Sequence, residues 1–355
     1  MTDTARTHFE SDLEGLLVSS AINAPMPAVA IGICDQAGVL ASIVHGIANL
    51  ETGEIATVEH WWDLASLTKV LVTLVEMLAA VQRRQLMLSD SLGLVWSRAV
   101  GSPLGNVTIG QLLSYNAGMP ASVRYYEGGA ASRDALLDAV LSTRPQRTPG
   151  TYPEYSDINY IVLGELVTHL TGLGLHEHAK RRGWCRYASP HPLPGPAVAT
   201  EYCGWRQQLI VGEVHDENAA ALGGVAGHAG AFGTIGSVLA GARACLAGEL
   251  VGPALSRVAT QCWASSTKGE RFGLGFLLTP TLGLGGDLAG TDGYGCAGFV
   301  GNRLWIEPSR GYAVVVLSNR IHPKRDDRTN FNMWCNRLMC DIALAWQGRL
   351  AAADE

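Results

Sequence analysis

The sequence predicts an α+β fold in which strands near both ends of the chain form one discontinuous lobe and a mostly helical stretch is inserted between them. Three observations predict it. Residues 28–34 (AVAIGIC) and 39–44 (VLASIV) are β-type runs around Asp35, Gln36, Ala37 and Gly38, the pattern of a β-hairpin. Residues 303–307 (RLWIE) and 312–318 (YAVVVLS) repeat that pattern around a turn at 308–311, near the other end. From about residue 81 to about Gly230, helical segments such as 131–141 and 160–170 alternate with loops rich in Gly, Pro, Ser and Asn.

The elements follow in chain order. Residues 1–14 carry Asp3, Glu10, Asp12 and Glu14 with an early Arg6 and no apolar core segment. They read as an amphipathic helix rather than a signal peptide, so a cytoplasmic protein is expected. After the turn Glu51-Thr52-Gly53-Glu54, residues 61–81 are helix-long, free of Gly and Pro, and apolar nearly all round, which predicts a core helix. Its apolar run is broken by Thr73 and Glu76 and is too short to span a membrane. A last helix is predicted from about residue 330 to 346.

With 47% hydrophobic and 16% charged residues, the 355-residue chain can bury a large core and is neither disordered nor a coiled coil. Its 26 Lys+Arg against 32 Asp+Glu give a formal charge of −6, so neither nucleic acid nor membrane is an expected partner. Only four of the 26 are lysines: Lys69, Lys180, Lys268 and Lys324. Eight cysteines without a CxxC pair point to reduced, mostly buried thiols, with no disulfide frame and no zinc or other metal site.

Three segments can carry chemistry. In Asp63-Leu64-Ala65-Ser66-Leu67-Thr68-Lys69, Ser66 and Lys69 are three apart and share a helix face. A serine hydroxyl needs a group that takes its proton, and a lysine does this only when burial or a positive field lowers its pKa. The apolar run after Lys69 and the adjoining helix N-terminus predict that lowering; the plain alternative is Ser66 as a helix cap. The second segment, 148–160, brings Tyr155, Ser156 and Asp157 to the entrance of a helix. There a tyrosine can relay protons and a carboxylate can position an ammonium, or Asp157 can cap the helix and Tyr155 can pack. The third, 293–305, is glycine-dense and enters a strand, so an edge amide there can pair with the Ser66 amide as an oxyanion hole. A bulged hairpin is the alternative.

Together the three resemble the serine β-lactamase and penicillin-binding-protein superfamily, in its class C β-lactamase-like esterase branch, whose motifs are SxxK, Tyr-x-Asn or Tyr-Ser-Asp, and a Lys/His-x-Gly strand. Further stretches carry the likeness: Leu112 to Pro120 resembles LLxHxSGxP, Val214 to Ala219 resembles VHDxNA, and residues 223–233 (GGVAGHAGAFG) resemble the GHAG segment. Residues 304–308 and 318–323 resemble the closing strand elements, so the likeness runs from about Pro27 to about Pro323.

The resemblance implies a β-lactamase/transpeptidase-like fold, an antiparallel sheet flanked by helices plus an inserted all-helical lobe. The lobes are expected at 1–65 with 232–355 and at 66–231, with the active site at their junction. It also implies Ser66 as acyl-accepting nucleophile, Lys69 as its base or proton carrier, Tyr155 as second relay, Asp157 in the usual Asn place, and Phe299 as the second oxyanion amide. Cys296-Ala297-Gly298 departs from the family, because Cys296 and Ala297 offer no charge to a substrate carboxylate. Nothing marks Cys296 as an activated second nucleophile.

The expected partner is therefore a small ester or amide, with an amine or alcohol as possible acceptor, and no cofactor. A β-lactamase, a D-amino-acid peptidase and a non-catalytic binding homologue are the alternatives. His215 and His228 are expected to be hydrogen-bonding residues between the lobes rather than metal ligands. His176 and His178, two apart, cannot share a helix face and read as solvated.

Overall fold

A computed structural model describes residues 3–129, 132–280 and 283–354. Fourteen strands are described in chain order: β1 (Ala28–Cys34), β2 (Val39–Asn49), β3 (Glu54–Ile55), β4 (Trp62–Asp63), β5 (Arg186–Tyr187), β6 (Ala199–Cys203), β7 (Gln208–Val211), β8 (Ala231–Gly233), β9 (Ala264–Ser265), β10 (Arg271–Phe272), β11 (Leu277–Leu278), β12 (Tyr294–Gly298), β13 (Asn302–Glu307) and β14 (Tyr312–Ser318). Nine of them form one antiparallel sheet in the order β3-β2-β1-β14-β13-β12-β11-β10-β9. The two predicted hairpins are therefore neighbours, with Ile31 of β1 opposite Val316 of β14.

Every residue of β1, β13 and β14 is buried. Successive side chains point to opposite faces, so both faces of the sheet centre are covered. The terminal helices Asp3–Ile22 and Thr329–Asp354 pack together and the first lies over β2, while helix Ile235–Leu246 crosses β1, β14 and β13. The Leu239 side chain of that helix packs closely over Gly32 of β1, with its Cδ1 2.6 Å from where a Cβ would stand.

The predicted helix 61–81 starts late. Trp62 and Asp63 form β4, paired with β8, and the helical residues are 67–82. Ala65 causes the break: its φ of +44° turns the chain sharply just before Ser66. The Asp63 carboxylate holds that turn by accepting from the Ala65 amide at 2.7 Å. Lys69–Thr73 is then a π-helical turn, with the Leu74 amide reaching back to the Lys69 carbonyl. Wide turns of this kind sit often at functional sites.

Between β4 and β8 lie helices Ile109–Leu113, Arg133–Leu141, Asp157–Thr171 and Leu175–Arg182. The stretch is less purely helical than expected, because β5 joins the small sheet with β4 and β8, and β6 and β7 form a hairpin of their own. The apolar run after Lys69 is core, and among the described residues no single helix is long and apolar enough to cross a membrane.

Helix Asp157–Thr171 meets the loop before β8 at two glycines. A Cβ on Gly227 would stand 2.2 Å from the Tyr160 carbonyl oxygen and 2.7 Å from Gly164 Cα. Gly227→Ala should therefore force the two backbones apart and cost about 1–3 kcal/mol. Urea denaturation of the variant measures it, and an unchanged midpoint would contradict this account of the contact.

Candidate active site

The turn at Ala65 presents Ser66, and the first turn of the core helix carries Lys69 beneath it. Lys69 has no exposed surface. Its Nζ donates to Ser66 Oγ at 2.8 Å, to Asp157 Oδ1 at 2.7 Å and to the His228 carbonyl at 3.0 Å. An ammonium has three N–H donors, and all three are used.

Burial pushes the Lys69 pKa down, and this is the largest single influence. The Asp157 carboxylate, Tyr155 and the Asp157 hydrogen bond together outweigh it, so Lys69 is held above its ordinary value. This corrects the expectation of a lysine made basic by lowering: the resting group is an ammonium. Burial and the helix field alone point downward, and the carboxylate 88 residues away reverses the sign.

Helix Asp157–Thr171 supplies that carboxylate from its first residue. Ser156 Oγ donates to the Pro120 carbonyl instead of capping the helix, and the Asp157 amide donates to the Ala121 carbonyl. The Tyr155 ring lies with its centroid 5.0 Å from Lys69 Nζ and stacks on Tyr115 at 4.6 Å. The residue is half-buried, but its hydroxyl is buried and makes no hydrogen bond of normal geometry. Ser66 and Cys296 are close enough to influence it without meeting that geometry. Burial pushes the phenol up to about 12 against the opposing pull of Lys69.

Strand β12 runs beside this turn. Cys296 Sγ contacts the Ser66 carbonyl at 3.6 Å, and burial pushes its thiol up to about 11 although Lys69 works the other way. It is a neutral thiol at neutral pH. A Cβ on Gly298 would stand 2.9 Å from the Leu64 carbonyl, so glycine lets the strand approach the turn. Asn302 Nδ2 ties the next strand to the same turn through the Asp63 carbonyl at 2.8 Å. Among the described residues neither the Ser66 amide nor the Phe299 amide has an acceptor. Both residues line one cavity of about 270 Å³, together with Asp157, His215, Asn218 and Arg325. Tyr155 lines a second cavity of about 320 Å³ with Phe272 and Leu277. A larger cavity, about 970 Å³ beside Leu88 and Trp263, contains none of these groups in its wall.

The structure thus brings Ser66, Lys69, Tyr155, Asp157 and Cys296 together and sets Gly298 and Phe299 beside them. His215 Nε2 pairs with Glu201 at 2.6 Å, and His228 Nε2 with Asp216 at 2.8 Å. Both histidines also line the Ser66 cavity. His178 is not solvated: it is buried, with Nδ1 3.0 Å from Glu76 and Nε2 3.0 Å from Thr171 Oγ1. Its neighbour two residues back, His176, is half-buried, as the opposite helix face requires. Among the described residues six of the eight cysteines are buried and all are free.

Sequence inspection missed Asp63, Tyr115, Glu201 and Arg325. Asp63 had a local signal, an Asx residue before a turn. Tyr115 also had one, since it stands at the histidine place of LLxHxSGxP. Glu201 and Arg325 are 124 residues apart and carried none.

A sequence profile of the Beta-lactamase family matches residues 16–335. Relatives named D-alanyl-D-alanine carboxypeptidase in Escherichia coli O157:H7 and Escherichia coli strain K12 are 27% and 28% identical, covering 89% and 79% of this chain and 84% and 74% of theirs. Among solved structures, SurE with D-Leu matches with TM-score 0.73 and 20% identity over 96% of this chain and 76% of that one. Simvastatin synthase from Aspergillus terreus matches with TM-score 0.73 and 16% identity over 95% of each chain. EstCE1, a hydrolase with promiscuous acyltransferase activity, matches with TM-score 0.69 and 17% identity over 94% of this chain and 99% of that one. The α+β, β-lactamase/transpeptidase-like fold expected from the sequence is borne out by these neighbours. With its profile matched over most of its length, the chain belongs to the Beta-lactamase family.

Proposed function

We propose that the protein is a serine acyl-transfer enzyme that forms an acyl-enzyme on Ser66 from a small ester or amide. One observation carries this: a solvent-free ammonium donates to Ser66 Oγ at 2.8 Å, and the buried hydroxyl of Tyr155 is close enough to that serine to influence it. A serine that only caps a helix needs neither group.

A lysine that is already protonated cannot receive the serine proton. Lys69 instead stabilises the negative charge that develops on Ser66 Oγ, and Tyr155 moves the proton. Ser66 Oγ bonds to the substrate carbonyl carbon while its proton passes to Tyr155 Oη and Tyr155, in the same step, passes its own proton to the oxygen or nitrogen that will leave. The amides of Ser66 and Phe299 hold the oxyanion of the tetrahedral species, which collapses as the carbon–leaving-group bond breaks and the neutral leaving group departs. Water, an alcohol or an amine then repeats the sequence in reverse: it gives its proton to Tyr155, bonds to the acyl carbon, and Ser66 recovers its proton. The relay is neutral throughout, which suits a phenol pushed up to about 12.

The absence of charge at Cys296 and Ala297 favours a substrate without a carboxylate at that place over a β-lactam or D-amino-acid peptide. Fold neighbours that include a hydrolase with acyltransferase activity support either water or an organic acceptor.

Intact-mass spectrometry after exposure to a fluorophosphonate should show one adduct on the wild type and none on Ser66→Ala. Labelling that survives in Ser66→Ala would sink the proposal. With a p-nitrophenyl ester and an added alcohol or amine, a transfer product identifies a transacylase, and free acid alone identifies a hydrolase.

Asp157→Asn tests the ammonium. In the wild type Lys69 lies above its ordinary 10.5, so the acylation rate should not fall through loss of its proton below about pH 10. In the variant burial is no longer opposed by a carboxylate, Lys69 loses its proton at lower pH, and the rate should fall about tenfold or more as pH rises from about 7 to 10. Parallel pH profiles for the two proteins would contradict the role of the ion pair. The linked stability has the same sign: it is fully present below 10.5 and is lost as pH rises through the raised value.

A further inference from the structure

Phe299 enters the proposed reaction through its amide, yet its exposed side chain is packed against an imidazole and three guanidinium groups. One face of the ring stacks on His215, with centroids 5.6 Å apart and planes at 13°. The guanidinium carbons of Arg328, Arg325 and Arg320 lie 4.7, 5.2 and 5.9 Å from the ring centroid. Arg320 Nη2 also donates to the carbonyl of Phe299 itself at 3.0 Å. Each of these cations is attracted by the quadrupole of the ring, so together with His215 they hold it in one place.

The brace does not end at the ring. Glu201 Oε1 accepts from Arg325 Nε at 2.6 Å and pairs with His215 Nε2 at 2.6 Å, and Arg325 Nη2 donates to Glu217 at 2.6 Å. The imidazole that stacks on Phe299 is thereby fixed in orientation. The backbone of His215 is anchored in turn: its amide donates to Asp63 Oδ2 at 2.7 Å. The other oxygen of that buried carboxylate holds the Ala65 amide, in the turn that presents Ser66. A single carboxylate therefore joins the turn bearing one unpaired amide to the residue that clamps the ring next to the other.

We propose that the side chain of Phe299 and its clamp, His215 with Glu201 and Arg325, set the spacing of the two oxyanion amides, with Asp63 as the fixed point between them. This rests on the reading of Ser66 as nucleophile. His215, Glu201 and Arg325 are positioning residues. A brace of this kind acts only where charge develops on the carbonyl oxygen, so its loss lowers the rate of acylation without weakening substrate binding.

The tests use the full-length protein with a p-nitrophenyl ester and a fluorophosphonate. Phe299→Ala keeps the backbone amide and removes the ring. It should lower kcat for acylation about 10- to 100-fold with KM within about twofold, and slow fluorophosphonate labelling by a similar factor. Phe299→Tyr, which keeps a ring for His215 and the arginines, should restore most of the rate. His215→Ala should resemble Phe299→Ala, and the double variant should be no slower than either single one, since both remove the same contact. A Phe299→Ala variant that raises KM and leaves kcat unchanged makes the ring a substrate contact and overturns the brace, as does full additivity in the double variant. A wild type that takes no fluorophosphonate overturns the nucleophile itself and the brace with it. Labelling of the wild type that Phe299→Ala does not slow overturns the brace alone.

Discussion

A lysine ammonium without contact to water is the constraint around which the rest of this site is arranged. Burying such a charge costs several kcal/mol unless it is paired and every donor is satisfied. The three N–H groups of Lys69 meet that demand with a hydroxyl, a carboxylate and a backbone carbonyl, each from a different part of the chain. The Ala65 turn, the start of helix Asp157–Thr171 and the loop after Gly227 must therefore converge. The glycine contact between that helix and that loop, and the Thr73 hydroxyl donating to the Gly227 carbonyl at 2.7 Å, are what permit it. Two aromatic rings, Tyr155 and Tyr160, complete the enclosure at 5.0 and 6.0 Å from Nζ.

The chemical consequence reverses the simplest expectation for a lysine beside a serine. Burial alone makes a lysine a base, while burial with a carboxylate at 2.7 Å makes it a fixed positive charge. An asparagine at position 157 leaves the first case open and an aspartate selects the second. In the proposed reaction the proton then moves through Tyr155, whose buried hydroxyl lies close to Ser66. The neutral Cys296 thiol fits this arrangement, since a cation there would repel Lys69 and draw Tyr155 toward its anion.

Much of this was legible in the chain. The strand runs 28–34 and 312–318 are continuous apolar segments and occur where β1 and β14 occur, because a strand covered on both faces has no other pattern. The three site segments were legible because each is local: a spacing of three on a helix, a Tyr-Ser-Asp at a helix entrance, a glycine-rich strand edge. The start of the core helix was not, because nothing in Trp61 to Ser66 is a helix breaker. A positive φ at Ala65 is imposed by the Asp63 carboxylate and by the pairing of β4 with β8. The direction of the Lys69 shift, the burial of His178 against Glu76 and the Glu201–Arg325 link around His215 were equally hidden. Each is a contact between residues distant in sequence, and periodicity carries no information about such pairs.

The central claim is that Lys69 rests as an ammonium. The chain has only four lysines, so a nitrogen- or carbon-detected NMR titration of lysine side chains gives a spectrum simple enough to assign with one Lys69→Met variant. If the account is right, the Lys69 signal stays that of an ammonium past its ordinary 10.5 for as long as the fold survives. A Lys69 signal that is already that of a neutral amine at about pH 7 would contradict it and return the lysine to the role of base.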